Sequence, residues 1–168
     1  ELQSLGRKVM GYFGVIDERI DYDLLRKLAD ENSDAELVMV GPVVKVDPAE
    51  LPQGPNIRWL GQRQYSELPS YVKGFDVCLM PFALNEATEY INPTKTLEYM
   101  AAGKPIVSTA VADVVHHFTP VVTVADNADD FVTATAVAIE APDVAMIARG
   151  IEQARANSWE SIVARMER

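Results

Sequence analysis

The sequence lacks the features of several large protein classes. Its 168 residues include a single cysteine, so no internal disulfide can form and a reducing, cytoplasmic setting is expected. No apolar run approaches the roughly 18 residues that a membrane helix needs, so we expect a soluble domain. Lysine and arginine number 15 against 25 acidic residues, which gives a formal net charge of −10. This charge argues against nucleic acid as a partner, because such binding rests on clustered cations.

Hydrophobic residues are plentiful by contrast. They make up 48% of the chain, which is enough for a substantial core. The lone cysteine, Cys78, lies within the apolar run FDVCLMPF and is predicted to pack in that core rather than to act as a nucleophile. No internal repeat, low-complexity tract or linker divides the sequence, so we expect residues 1–168 to form one domain.

Apolar runs alternate with helical patterns along the chain. Helices are predicted at IDYDLLRKLADEN, at YSELPSYVKG, from Thr94, and over most of the chain after Asn127, whereas PVVKVDPAELPQGP reads as loop. Strands are predicted at RKVMGYFG, AELVMVG, NIRWLG, FDVCLMPF, GKPIVST and PVVTVAD. This alternation predicts an α/β fold with a doubly wound, Rossmann-like parallel sheet. A ligand is then expected beyond the carboxyl ends of the strands.

The segment NPTKTLEYMAAGKPIVST carries the clearest indication of a ligand. Asn92 suits an N-cap and Pro93 suits the first turn of a helix. The N–H groups of Thr94, Lys95 and Thr96 would then point out of the helix start, where the partial positive charge favours an anion such as diphosphate.

Two charged side chains lie on the same predicted helix. Lys95 would add a full positive charge at the helix start, and Glu98 could reach back to accept hydrogen bonds from a ribose diol. Leu97, Met100 and Ala101 would form the apolar stripe towards the sheet, and a glycine would end the helix. An alternative is a solvated ion pair between Lys95 and Glu98 on an ordinary crossover helix.

The ordered set GYFG, LVMVGPV, NIRWLGQRQYSELPSYVKGFDVCLMPF and NPTKTLEYMAAGKPIVST resembles the C-terminal, nucleotide-sugar-binding half of retaining GT-B glycosyltransferases, the group 1 or family 4-like enzymes. The resemblance covers most of the chain. It implies transfer of a sugar from a nucleoside diphosphate donor, UDP before GDP, to an acceptor hydroxyl with retention. It also implies no cofactor, no metal, and an N-terminal acceptor domain that is absent from this chain. Membrane association stays open.

The resemblance also implies roles for individual residues. Lys95, Glu98 and Arg19 would be the catalytic residues, with Glu98 holding the ribose. Gly14 would face the phosphates from the first loop, and the loop from Gly61 would lie beside the base. The complete set implied to bind the donor nucleotide is Gly14, Gly61, Gln62, Arg63, Asn92, Pro93, Thr94 and Thr96.

The sequence departs from the family pattern at a position that matters for the sugar. The first glutamate of the family's paired motif should lie eight residues before Glu98, and Tyr90 stands there. Glu89 or Glu86 would have to replace it. Tyr90 and Glu89 are therefore the candidates for contact with the donor sugar.

A second departure concerns the first loop. An arginine usually follows its glycine, and Val15 stands there instead. Arg19 would supply the missing cation, or would be a solvated residue at a helix start.

Other classes of function are weighed against transfer. A dehydrogenase would need G-x-G-x-x-G after the first strand, which GYFGVIDE does not supply. A sugar-nucleotide epimerase of the same fold and a non-catalytic nucleotide-binding module stay open. His116 and His117 are adjacent in VVHHF and lack the spacing of metal ligands, so no metal site is predicted.

Overall fold

A computed structural model describes residues 6–89, 91 and 94–158 of the chain. The helices are α1 (Tyr22–Glu31), α2 (Leu68–Lys73), α3 (Thr94–Ala101), α4 (Ala112–Phe118), α5 (Ala128–Glu140) and α6 (Val144–Ala156). The strands are β1 (Val9–Phe13), β2 (Glu36–Val40), β3 (Ile57–Gly61), β4 (Val77–Met80), β5 (Ile106–Thr109) and β6 (Thr123–Ala125). Short 3₁₀ turns occur at Pro48–Glu50, inside the predicted loop, and at Tyr65–Glu67.

The six strands form one sheet in the order β3-β2-β1-β4-β5-β6. Every neighbouring pair is parallel. This is the strand order of doubly wound Rossmann sheets, and the prediction of that fold is confirmed. The order reverses between β1 and β4, and in doubly wound sheets the ligand crevice lies where two such strands end.

The central strands are buried along their whole length. Each residue of β1, β2 and β4 is inaccessible to solvent or nearly so. Strands covered on both faces read as continuous apolar runs rather than as alternating patterns, which is why they were recognisable in the sequence. Cys78 lies on β4 with no exposed surface, and burial raises the pKa of its thiol well above the ordinary value. The prediction that Cys78 packs in the core is confirmed.

The buried face of α3 differs from the predicted stripe. It consists of Thr96, Tyr99 and Met100, whereas Leu97 is half-buried and Ala101 is exposed. The prediction was therefore right for Met100 and wrong for Ala101.

Polar partners explain why α3 buries a tyrosine and a threonine. The backbone N–H of Phe13 donates to the Tyr99 hydroxyl at 3.0 Å, and the two rings meet edge-on with centroids 5.1 Å apart. The Thr96 hydroxyl lies 3.4 Å from the Met80 sulfur. These contacts fasten α3 to the ends of β1 and β4, on either side of the crevice.

The predicted glycine stop of α3 is confirmed. Gly103 has a φ of +66°, its N–H donates to the Met100 carbonyl, and the N–H of Lys104 donates to the Tyr99 carbonyl. This pair of hydrogen bonds is a Schellman motif, which a glycine in the left-handed region permits.

Helix α4 was not indicated by the sequence pattern. Val114 is its only buried residue, so the helix shows no repeating apolar period. His116 and His117 lie exposed on its last turn, with ring centroids 4.7 Å apart. Within the part of the chain that the structure describes, no three His, Cys, Asp or Glu side chains gather into a group that could hold a metal ion.

No single helix among the described residues is long and apolar enough to cross a membrane. Helices α5 and α6 satisfy length and composition together, but they are bent by 96° at the break between them.

Candidate functional site

Three glycines hold the carboxyl ends of β1, β2 and β3 together. Gly14, Gly41 and Gly61 have φ angles of +143°, +149° and +69°. The N–H of Gly14 donates to the Val40 carbonyl, and the N–H of Gly41 donates to the Gly61 carbonyl, each at 2.9 Å. The loops after these strands therefore form a continuous backbone floor beside the crevice.

This floor leaves no room for side chains at two positions. A Cβ added to Gly41 would lie 1.8 Å from the Gly14 carbonyl oxygen. A Cβ added to Gly14 would lie 2.9 Å from both the Lys95 Nζ and the Tyr12 hydroxyl. Gly14, in the predicted phosphate loop, and Lys95, the predicted cation at the helix start, thus lie in direct contact although they are far apart in the sequence.

Lys95 is held in an aromatic setting. Its ammonium lies 5.1 Å from the ring centroid of Tyr12 and 5.5 Å from that of Phe82, which is the geometry of a cation–π interaction. Burial and, to a smaller extent, the nearby Arg19 lower the pKa of Lys95 to about 8, although Glu98 and Asp17 act in the opposite direction. Among the described residues no carboxylate lies within ion-pair distance of Lys95, so a desolvated cation faces the crevice.

The ion pair between Lys95 and Glu98 that the sequence offered as an alternative is not formed, since each side chain has a different partner. The Tyr65 hydroxyl donates to Glu98 Oε1 at 2.9 Å, while the Tyr65 side chain is otherwise 75% exposed. This hydrogen bond raises the pKa of Tyr65. The Glu98 carboxylate is therefore held by Tyr65, in the segment that follows β3.

A cavity of about 630 Å³ lies between α2 and α3 where Tyr65 meets Glu98. Its wall is mostly apolar and includes Phe13, Leu68 and Val72. Such a cavity, with one carboxylate and one phenol at its edge, suits a flat ring joined to hydroxyl groups.

The predicted base loop borders a second, more open cavity of about 600 Å³. Gln62 is exposed in its wall. The guanidinium of Arg63 donates to the Tyr71 hydroxyl at 2.8 Å and lies over the Tyr71 ring at 5.8 Å from its centroid. Gly61 has open space around it.

Arg19 turns one edge of its guanidinium to Asp17. Nε lies 2.9 and 3.0 Å from the two carboxylate oxygens of Asp17, and Nη2 lies 2.6 Å from Oδ2. Burial alone would raise the pKa of Asp17, but the hydrogen bonds from Arg19 hold it below its ordinary value. Arg19 lies in the loop between β1 and α1, close enough to Lys95 to affect its pKa.

The remaining predicted residues lie around the start of α3. Thr94 is exposed, while Thr96 is wholly buried, so a ligand at the helix start would meet Thr94 and Lys95 first. Glu86 and Glu89 are exposed in the segment after β4. Three predicted positions lie outside the described residues: Tyr90, Asn92 and Pro93.

The sequence did not single out several residues that the site contains. Tyr12 and Phe82 read as core residues of strands, and Asp17 read as one acidic residue among many. Tyr65 gave the only available signal, an aromatic residue four positions after the strand-end glycine. Their involvement depends on contacts between distant segments, which local patterns do not contain.

Comparisons with known proteins agree on the family. The family model of the glycosyl transferases group 1 matches residues 8–141. A curated relative from Bacillus subtilis (strain 168), named "Putative teichuronic acid biosynthesis glycosyltransferase TuaH", is 32% identical over 111 residues, which are 64% of this chain and 28% of that protein.

Solved structures agree on the fold. Sucrose-phosphate synthase from Thermosynechococcus elongatus superimposes with a TM-score of 0.74 at 20% identity, over 98% of this chain and 46% of that one. HepE from Anabaena, in complex with UDP, gives a TM-score of 0.71 at 14% identity, over 98% of this chain and 49% of that one. The chain thus spans about a quarter of its curated relative and less than half of these structures.

Proposed function

This chain belongs to the glycosyl transferases group 1, and from that premise we propose that it binds the donor in transfer of a sugar from a nucleoside diphosphate sugar to an acceptor hydroxyl. A UDP-sugar is the proposed donor and retention the proposed stereochemistry, with no metal and no cofactor. Since the chain spans less than half of the solved structures it resembles, we assign acceptor recognition to a domain outside it.

One observation carries this proposal. Lys95 and Arg19 place two cations around the Gly14 loop, at the edge where the strand order reverses. Among the described residues Arg19 pairs with Asp17, whereas no carboxylate pairs with Lys95. In a protein with a net charge of −10, two neighbouring cations that share one acidic partner need a reason. An anionic ligand supplies it, because the ligand would repay the burial of the Lys95 ammonium.

The proposed chemistry is electrostatic. As the bond between the sugar and the diphosphate breaks, negative charge builds on the leaving diphosphate. Lys95, Arg19 and the N–H groups in the first turn of α3 would stabilise that charge because they are already oriented before the reaction. Glu98 would hold the ribose, with Gln62 and Arg63 near the base.

UDP is favoured over other diphosphates by its presence in a structural neighbour, the Anabaena HepE complex. Membership of a transferase family favours transfer over the epimerase and over a non-catalytic module. Product analysis of the enzyme that contains this chain separates the three, since only a transferase joins the sugar to a second hydroxyl.

Replacement of Glu98 by glutamine tests the ribose contact. Calorimetric titration of the chain with UDP and with 2′-deoxy-UDP is expected to show roughly tenfold weaker UDP binding for Glu98→Gln, because a charge-assisted hydrogen bond is lost. The preference for UDP over 2′-deoxy-UDP should vanish with it. Parallel titrations with GDP, ADP and inorganic phosphate identify the base.

Tyr65→Phe is the matched control for this experiment. It keeps the Glu98 carboxylate and removes only the phenol hydroxyl that binds it, so the preference for UDP over 2′-deoxy-UDP should remain. Equal UDP affinity of the chain before and after Glu98→Gln would contradict the ribose contact. No binding of any diphosphate would contradict a donor site formed by this chain alone.

Sugar transfer is expected to need more than this chain. A radiolabelled UDP-sugar incubated with the purified 168-residue chain and a mixture of acceptors should give no glycoside above the buffer control. Robust transfer by the chain alone would show that the acceptor site lies within it.

A further inference from the structure

We propose that Asp17 is a positioning residue: its carboxylate fixes one edge of the Arg19 guanidinium so that the other edge faces the diphosphate of the donor. This inference rests on the proposed function, since it concerns how the donor's charge is met. Asp17 itself would not touch the ligand.

The geometry of the guanidinium supports this role. A guanidinium carries five N–H groups in a planar fork and can bind two oxyanions, one on each edge. The edge formed by Nε and Nη2 is taken by Asp17, at distances of 2.6 to 3.0 Å. On the opposite edge, Nη1 makes no hydrogen bond to any described residue and Nη2 donates only to Asp17. The Arg19 side chain is 38% exposed, so this edge is open to a ligand.

The segment around Asp17 is itself fixed from several sides. The backbone N–H of Arg19 donates to Asp17 Oδ1 at 3.0 Å, and the Tyr22 hydroxyl donates to the Asp17 carbonyl at 2.8 Å. The Arg19 carbonyl accepts from the Ala83 N–H at 2.9 Å, which ties the loop to the segment after β4. Asp17 is only 6% exposed, so this is a built, nearly buried contact rather than a surface ion pair.

The pair also lies at the proposed site. The Arg19 carbonyl accepts from the N–H of Ala83, the neighbour of Phe82, and the Phe82 ring centroid lies 5.5 Å from the Lys95 ammonium. Arg19 and Asp17 also influence the pKa of Lys95, in opposite directions. Lys95 in turn contacts the position of Gly14. A diphosphate above the Gly14 loop would therefore meet the ammonium and the free guanidinium edge together.

A purely electrostatic role for Asp17 predicts the opposite behaviour. Removing a carboxylate from the neighbourhood of an anion normally strengthens binding of that anion. If Asp17 acts by positioning, its removal weakens binding although the site becomes more positive. The sign of the change therefore separates the two.

The test is calorimetric titration of Asp17→Asn with UDP and with uridine, which lacks phosphate. Asparagine has the same shape but presents an amide N–H₂ to the donors of Arg19, so the bidentate contact is lost. Roughly tenfold weaker UDP binding is expected, from the loss of an oriented charge-assisted contact. Uridine binding should be unchanged, which also reports that the variant is folded.

A double-mutant cycle with Arg19→Lys completes the test. Arg19→Lys keeps the positive charge and removes the planar fork, so this substitution by itself should weaken UDP binding. Combining it with Asp17→Asn should weaken UDP binding little further. Three results would overturn the inference and leave the proposed function standing. They are additive effects of the two substitutions on UDP binding, UDP binding by Asp17→Asn that is unchanged or tighter, and equal weakening of UDP binding and uridine binding. Absence of UDP binding by the unsubstituted chain would refute the proposed function first.

Discussion

Replacement of Lys95 by methionine is expected to stabilise the empty protein while it disables the proposed donor site. The Lys95 ammonium lies over the rings of Tyr12 and Phe82, and burial lowers its pKa to about 8. Methionine keeps the length of the side chain and packs well on aromatic rings. The substitution therefore removes a desolvated charge without opening a cavity.

The expected gain in stability follows from the pKa. A tenfold change in a protonation constant is worth about 1.4 kcal/mol, so a fall from 10.5 to about 8 makes the charged form cost on the order of 3 kcal/mol in the folded state. Loss of the cation–π contacts offsets about 1 to 2 kcal/mol of this. A net gain of about 1 to 2 kcal/mol remains, which is a Tm rise of a few degrees for a chain of this size.

The pH dependence gives this prediction a second check. The unfolded chain keeps the Lys95 proton up to about pH 10.5, whereas the folded chain releases it near pH 8. The unfolded state therefore binds more protons between these values, and the stability of the unsubstituted protein rises with pH relative to Lys95→Met. Denaturant unfolding of both proteins at pH 7, 9 and 10 should show that the difference in free energy of unfolding, which favours Lys95→Met at pH 7, becomes smaller as the pH rises.

The effect on function should have the opposite sign. Loss of one preorganised cation costs roughly 3 kcal/mol, on the order of a hundredfold in the rate of the proposed sugar transfer. UDP affinity should fall as well, and the affinity of the unsubstituted protein should itself decline as the pH rises through about 8. Lys8→Met removes an exposed cation at the opposite end of β1 and should change neither quantity appreciably. A destabilised Lys95→Met variant would contradict the burial argument.

The fold was predictable because each local signal agreed with the others. The buried parallel strands appear in the sequence as continuous apolar runs, and the glycines at the carboxyl ends of three strands indicate where those strands end. The face of α3 was not predictable in full, because Tyr99 and Thr96 are buried through hydrogen bonds to β1 and β4. Only the folded chain brings those partners within reach.

The candidate site was predictable in its parts and not in its assembly. Lys95 and Glu98 were identified from the predicted helix and then from a family resemblance, whereas Gly14 was identified from the resemblance alone, and the roles of all three stay predictions. The contacts that organise them join segments far apart in the sequence, as between Tyr65 and Glu98, which are 33 residues apart. Asp17 is the opposite case: it lies two residues from Arg19, yet only its burial distinguishes it from the other acidic residues.

Gly41→Ala is expected to be among the most damaging single substitutions in the described part of the chain. The φ of Gly41 is +149°, a region that residues with a Cβ avoid, and the added Cβ would lie 1.8 Å from the backbone oxygen of Gly14. Neither group can move as a side chain would. Strain and overpacking together should destabilise the protein by about 3 kcal/mol or more, a Tm loss of roughly 6 to 12 °C.

Gly61→Ala separates the two sources of that loss. Gly61 also has a positive φ, +69°, but an added Cβ meets nothing within 4 Å, so only backbone strain of about 1 kcal/mol applies. The free energies of unfolding of the two variants, compared by thermal melts, should therefore differ by about 2 kcal/mol. This difference is the share due to contact between the loop at Gly14 and the loop at Gly41. Because that contact sets the position of Gly14, which lies beside the Lys95 ammonium, Gly41→Ala should also weaken UDP binding in the fraction that still folds. Equal melting temperatures for the two variants would mean that the loops are not packed as the structure has them, and that the floor of the site depends on backbone conformation alone.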